Sequence, residues 1–344
     1  MKPRCACTIG DSNLKFLIGR GPESEENVVF TLNCTHALNV AIKGLAKKGG
    51  HAVISCLEHN SVIRPLTKLK NSGNFDFDMA GVFEDDDKTV RSFESKIRSN
   101  TCFIVCTYAS NVFGDILPIK KLGQLAKKYN IPLIVDGAQA AGIIDIDVER
   151  DNISCLCMPG HKGLYGPVGT GVLILSESCN PDTLMEGGTG SESKNFLQPE
   201  FLPDRFESGT QNTTGIIALG KGVEFVKKEK IENIREHENH LIEKLFRNFL
   251  ISEDVMIFNR FNPEKYVPIL SFNMKNLSGE ETATLLANED VAVRGGFHCN
   301  PCAHDYYKTS STGTARVSVS AFNTKNDIDY LINCVNKIAK SKKV

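Results

Sequence analysis

The stretch "IPLIVDGAQAAG", Ile131 to Gly142, decides the fold. An apolar run without polar interruption ends on a carboxylate, Asp136, and the chain then turns through small residues and glycines. A strand lacking polar alternation is buried on both faces, as in a parallel sheet covered by helices. The same grammar repeats outward in "VVFTLN", "HAVIS", "CFIVCTY", "ISCLCM" and "GTGVLIL". Amphipathic segments separate these runs. In "IKKLGQLAKKYN", Ile119, Leu122, Leu125 and Ala126 share one face and lysines the other, which predicts a helix. From about residue 215 a charged, helix-rich stretch, "GVEFVKKEKIENIREHENHLIEKLFRNFL", changes the character. It is followed by "YVPILSFNM", a helical "SGEETATLLANED", the alternating "ARVSVSAF" and a basic helix. The expected class is α/β: a large domain over 1–214 and a smaller C-terminal α+β domain over 215–344.

The 344 residues are 41% hydrophobic, enough for one large core and a smaller second one. Net charge is −1 with both signs spread along the chain, so no basic stripe points to nucleic acid. Eighteen apolar residues never run together, and "MKPRCACTIG" lacks the apolar stretch of a signal peptide. A cytoplasmic protein without a membrane partner is expected. Of twelve cysteines, Cys34, Cys56, Cys102, Cys106, Cys155 and Cys157 lie in or beside apolar runs and read as small reduced hydrophobes. Cys299 and Cys302, in the polar "RGGFHCNPCAH", call for a chemical explanation, and the Cys5/Cys7 pair is a third candidate.

Ligands gather at the carboxyl ends of strands in such sheets, so the polar residues directly after apolar runs are the candidates. Asp136 and Gln139 follow "PLIV", and Lys162 sits in the glycine-rich "PGHKGLYGPVGTG". Thr35 opens a helix after "TLN", where hydroxyl and backbone N–H groups suit a phosphate or a plain N-cap. His59 follows another strand. Alone, each has an ordinary structural reading. Together, a phosphate site, a carboxylate, a histidine and a lysine are what pyridoxal 5'-phosphate requires.

The ordered motifs "FTLNCTHALN", "EHNSVIRPL", "NVFGDILP", "IVDGAQAAG", "GHKGLYGPVGTG", "ESGTQNTTG", "RGGFHC" and "GTARVSVSAFNT" resemble the class V aminotransferase family. The chain is most similar to its cysteine desulfurase/selenocysteine lyase branch, in the second desulfurase group with an R-x-G-x-H-C loop. That resemblance implies a fold-type I pyridoxal-phosphate enzyme whose large domain carries a mainly parallel seven-stranded sheet. It implies that Lys162 bonds the cofactor, Asp136 pairs with its ring nitrogen, Gln139 meets the ring oxygen and His59 stacks on the ring. Cys34, Thr35 and His161 fall at the phosphate, and Thr210 at the phosphate of a partner subunit, hence a homodimer with shared sites. Asn111 and Arg316 resemble the pair holding the substrate amino acid, and a planar guanidinium suits an α-carboxylate. Cys299 becomes the nucleophile, with Arg294 beside it. The implied reaction converts L-cysteine to L-alanine and leaves a persulfide on Cys299 for a sulfur acceptor protein or small thiol.

Three departures from the pattern carry expectations. The chain reaches "VVFT" by residue 28, earlier than relatives do, which predicts cofactor binding with slow turnover. Pro159, where relatives place a hydroxyl, and Cys34, where a second threonine is frequent, predict weaker cofactor retention. Cys302 lies outside the family pattern, and disulfide formation with Cys299, resolution of a persulfide and simple packing all stay open to it. The competing activities are selenocysteine lyase and another class V enzyme. A metal or redox thiol protein built on "HCNPCAH" is disfavoured. Four ligands between His298 and His304 crowd one tetrahedral zinc, and no second C-x-x-C completes a site, so no metal is expected.

Overall fold

The computed structural model describes residues 27–341. Cys5, Cys7 and the early start of the chain lie outside the described residues. Contacts divide the chain into two units: unit 1 takes 27–108 and Leu117–Ile231, and unit 2 takes Ala109–Ile116 and 232–341.

Unit 1 is built on seven strands: β1 (Val28–Thr31), β2 (Gly50–Ser55), β3 (Phe75–Ala80), β4 (Thr101–Thr107), β5 (Leu133–Asp136), β6 (Cys155–Pro159) and β7 (Gly171–Leu175). Their order is β1-β7-β6-β5-β4-β2-β3. Strands β3, β2, β4, β5 and β6 pair in parallel, and β7 runs antiparallel to both its neighbours. The expected mainly parallel seven-stranded sheet is present. Every residue of β2, β5, β6 and β7 is buried, as their largely apolar sequence favours.

Helices α1 (Cys34–Leu45), α2 (Asn60–Asn71), α3 (Asp86–Glu94) and α4 (Ile119–Tyr129) connect these strands. Helix α1 buries Ala37, Leu38, Ala41 and Ile42 in the core that also holds Ile134, Cys157 and Leu173. Helix α4 buries Ile119, Leu122, Leu125 and Ala126, the expected face, and stops at Asn130 in a left-handed cap.

One strand escaped the apolar-run reading. In β3, "FDFDMA", Asp76 and Asp78 are taken up by Arg98 at 3.1 and 2.6 Å, and Asp76 also by Lys70 at 2.8 Å. An edge strand needs no second apolar face.

The domain border also differs from the expected 214/215. The charged stretch is two helices, α5 (Thr213–Glu229) and α6 (Ile231–Leu250), broken at Lys230, whose φ is +69°. Helix α5 belongs to unit 1 because its glycines admit close backbone. A Cβ on Gly222 would lie 2.3 Å from the Leu164 carbonyl oxygen.

Unit 2 pairs β8 (Val255–Ile257), β9 (Ile269–Met274) and β10 (Ala315–Ser318) in an antiparallel sheet ordered β10-β9-β8. With it go α6, α7 (Gly279–Ala287), α8 (Pro301–Tyr306) and α9 (Lys325–Ser341). Helix α7 begins with a reciprocal capping box between Ser278 and Glu281. Leu241, Leu245, Phe249, Phe272, Leu331 and Val335 form its core. Among the described residues no helix is long and apolar enough to cross a membrane.

Candidate active site

Unit 1 gathers its candidates at strand ends. Asp136 closes β5, buried, and its Oδ1 accepts the Ala138 N–H at 2.9 Å and the Cys34 thiol at 3.4 Å. One carboxylate oxygen is therefore held by the protein. Burial, then the charge of Asp136 and the neighbouring Cys157, pushes the Cys34 thiol up, so it stays a protonated donor; Lys162 pulls weakly the other way.

Lys162 and His161 are exposed in the loop after β6. Burial and the Lys162 charge push the His161 imidazole down, towards its neutral form. The loop is pinned by two glycines. Gly142, at φ +80°, would place a Cβ 1.9 Å from the Gly163 carbonyl oxygen, and a Cβ on Gly163 would meet that of Ala141 at 2.3 Å. The turn after Asp136 and the loop of Lys162 thus lock against each other only because both carry glycine.

Two helix starts meet through hydroxyls. Thr35, in the first turn of α1, lies 2.7 Å from Ser61 Oγ in the first turn of α2. His59 caps α2: its Nδ1 accepts the Ser61 N–H at 3.0 Å and lies 2.9 Å from Ser61 Oγ. An Nδ1 that accepts a backbone N–H carries no proton, so the neutral ring holds it on Nε2. Gln139 is half-buried three residues beyond Asp136, and Thr210 is exposed after Gly209. Pro159 ends β6 opposite Gly171.

Sequence reading overlooked Glu58. Its side chain is fully buried, and its Oε1 accepts the Thr107 N–H at 2.8 Å and the Ser55 hydroxyl, while Oε2 has no hydrogen-bond partner. Burial raises its carboxyl from 4.5 to about 8, with the nearby Asp136 charge adding to the shift. A neutral acid thus ties the end of β4 at Thr107, the register partner of Asp136. An acid directly after "VISCL" was the available signal; its burial was not readable.

Unit 2 gathers the rest. Residues 294–296 pair with 314–316, through Arg294 with Arg316 and Gly296 with Thr314. On that ladder His298 and Cys299 adopt left-handed backbone at φ +52° and +58°. For residues with a Cβ this costs roughly 1–2 kcal/mol each. Cys299 is exposed, and Arg294 Nη2 points at its sulfur from 3.2 Å. His298 is turned inward, its Nε2 2.9 Å from the Thr314 carbonyl, and burial and then Arg316 lower it to about 3. His304 is buried on α8 and Cys302 is half-buried, so the four-residue cluster divides into two buried rings, one exposed thiol and one half-buried thiol. Arg316 gives an N–H to the Asn111 carbonyl; burial and Arg294 lower its guanidinium to about 10. Asn111, expected at the substrate, uses its side-chain amide on the loop: Nδ2 donates to the His298 carbonyl at 2.8 Å and Oδ1 accepts from Asn300 at 2.9 Å.

A buried carboxylate fixed by one oxygen, a lysine in a glycine-locked loop and two hydroxyl-bearing helix starts make a donor set for a ring nitrogen, a carbonyl and a phosphate. The family profile "Aminotransferase class-V" matches residues 18–331. The chain belongs to the class-V aminotransferase family. Among its relatives is a probable cysteine desulfurase of Methanothermobacter thermautotrophicus, 30% identical over 92% of this chain and 80% of the relative. The cysteine desulfurase IscS of Clostridium botulinum is 30% identical over 95% and 82%. The fold matches the crystal structure of the cysteine desulfurase CsdA from Escherichia coli with a TM-score of 0.87 at 22% identity, over 98% of this chain and 84% of that one. An apo cysteine desulfurase from Thermococcus onnurineus gives 0.84 at 25% identity, over 98% and 85%.

Proposed function

We propose that the protein is a pyridoxal-phosphate-dependent cysteine desulfurase, converting L-cysteine to L-alanine and passing the sulfur on through Cys299. The observation that carries this reading is the thiol inventory. Of the ten described cysteines, Cys299 alone is exposed, and it has a guanidinium 3.2 Å from its sulfur. The relatives named as cysteine desulfurases support the same reading.

Lys162 would bond the cofactor carbonyl, the unshared oxygen of Asp136 would face its ring nitrogen, and Gln139 its ring oxygen. His59 would lie against the ring, and Cys34, Thr35 and His161 would hold the phosphate. When bound, the group would draw electrons from the substrate Cα and take up the electron pair of the Cβ–S bond, which leaves the substrate sulfur open to attack and Cβ to be protonated on the way to alanine. Arg316 binds the α-carboxylate. The Cys299 sulfur attacks the substrate sulfur, so an S–S bond forms as the substrate C–S bond breaks. The charge of Arg294 stands beside the reacting thiol.

A homodimer with Thr210 reaching the phosphate of the second copy fits the large exposed apolar side chains of unit 1, Leu32, Val168, Phe196, Leu197 and Ile217. Ten cysteine thiols among the described residues favour the reducing cytoplasm. The acceptor is a protein or a small thiol.

The test is a visible spectrum of purified protein reconstituted with cofactor, followed by L-cysteine. An absorbance band that shifts on adding substrate, with alanine and sulfane sulfur released in equal amounts, is expected. A protein that takes up no cofactor, or forms no alanine from L-cysteine, would refute the proposal.

A further inference from the structure

We infer that Cys155 and Cys179 are a reversible disulfide site, which a hydroperoxide closes across the two strands flanking the Lys162 loop. The inference goes beyond the desulfurase reading and does not rest on it. The two sulfurs lie 3.3 Å apart, within hydrogen-bond reach of each other. A disulfide asks only that this distance close to about 2.05 Å. The chain on both sides brings Cys179 there. Strand β7 ends at Leu175, the register partner of Cys155. The Ser176 N–H then donates to the Ser154 carbonyl at 2.9 Å, and the Cys179 N–H to the Ser176 carbonyl at 3.0 Å. That turn folds residue 179 back over the start of β6. Beyond it the Asp182 N–H donates to the Gly44 carbonyl in the last turn of α1 at 2.9 Å. A Cβ on Gly44 would lie 2.4 Å from the Asp182 carbonyl oxygen, so the chain after Cys179 is seated against that helix.

The two thiols differ as an attacking and a resolving cysteine must. Cys155 is fully buried, whereas Cys179 keeps 7% of its surface in solvent and is the side from which a small oxidant enters. Accepting the Cys155 S–H holds the Cys179 thiol below its usual value, although burial opposes this. The Cys179 thiolate attacks the hydroperoxide: an S–O bond forms as the O–O bond breaks, and the departing oxygen takes up the proton that the thiol released. The Cys155 sulfur then attacks the sulfenic sulfur. An S–S bond forms, the S–O bond breaks, and water leaves with the Cys155 proton. Both sulfurs are oxidised and the hydroperoxide is reduced to an alcohol or to water. A thiol reductant reopens the bond by exchange. Cys157, two residues on and on the same face of β6, is a bystander: burial, then Asp136 and Cys179, push its thiol up and keep it protonated. Once closed, the bond makes one ring of residues 155–179, with His161 and Lys162 inside it.

The test is peptide mapping by mass spectrometry of the folded full chain after exposure to hydrogen peroxide, alkylation and digestion without reductant. A linked pair of peptides holding Cys155 and Cys179 is expected, and it should vanish when dithiothreitol precedes alkylation. In Cys155→Ala nothing resolves the sulfenic acid, so dimedone should label Cys179 at least about tenfold more than in the unaltered protein. In Cys179→Ala the buried Cys155 should stay unlabelled. Cys106, wholly buried in unit 1, reports folding by remaining unalkylated in every arm. Should either variant expose Cys106, the mapping of the unaltered chain decides alone. Three results overturn the inference: no Cys155–Cys179 link at a peroxide dose that has already oxidised the exposed Cys299, a link to Cys157 in its place, or a link found only where Cys106 has become alkylated. Mapping needs no turnover, so absence of desulfurase activity would sink the functional proposal and leave this one decided by the linked peptide.

Discussion

The two units hold their chemistry in opposite ways. In unit 1 the acid of the site, Asp136, is a buried side chain at the end of a central strand, in ordinary backbone, with two hydrogen-bond partners on one of its oxygens. In unit 2 the candidate nucleophile, Cys299, is exposed and sits on left-handed backbone held by side chains from elsewhere in the unit. The difference follows from the tasks. A resident group needs a rigid, dry partner whose charge does not move. A thiol that must accept sulfur and give it away needs access, and access on a loop has to be stabilised by tethers outside it.

The sharpest way to break this comparison is to remove the reacting atom from each unit. Lys162→Ala is expected to abolish the cofactor absorbance band and activity together. Cys299→Ala should leave the band intact and lower sulfur transfer by about a thousandfold or more, the size of effect seen when a nucleophile is deleted. Equal loss of the band in both variants would show that the two units do not divide the work.

Next in size is Arg294→Gln. It removes the charged donor at 3.2 Å from the Cys299 sulfur and should slow sulfur transfer about tenfold, matching the ~1.5 kcal/mol of a charge-assisted hydrogen bond. Cofactor affinity, measured by titrating the absorbance band, should not change.

The last effect, on stability and not on turnover, belongs to Glu58→Gln. The folded protein holds the Glu58 carboxyl neutral up to about 8, whereas the unfolded chain releases that proton near 4.5. A raised acid therefore contributes stability that is complete below 4.5 and is lost as pH rises towards 8. The glutamine variant lacks this term. Its melting temperature should overtake that of the unaltered protein across that window, by an amount worth about 1–3 kcal/mol. Parallel melting curves from pH 5 to pH 9 would mean that Glu58 is not held neutral.

Much of unit 1 was legible because its strands are buried on both faces and read as continuous apolar runs. Six of seven appeared that way; β3 did not, since an edge strand can alternate aspartates that Arg98 and Lys70 neutralise. Helix α4 was legible from its apolar face. The border between units was less so. No composition change marks Ala109–Ile116 as part of unit 2, and the helix break at Lys230 lies inside an unbroken charged pattern.

Local sequence by itself determined the parallel α/β sheet, the strand-end Asp136, the glycine-rich loop of Lys162 and the thiol loop "RGGFHC", because burial period and turn chemistry are written in neighbouring residues. Tertiary structure alone decided that Cys299 is exposed while His298 and His304 are buried, that Glu58 is a neutral acid, and that the Asn111 amide bonds the thiol loop. Those outcomes depend on contacts between residues up to 189 positions apart, and desolvation and hydrogen-bond pairing at that range exist only once the chain has folded.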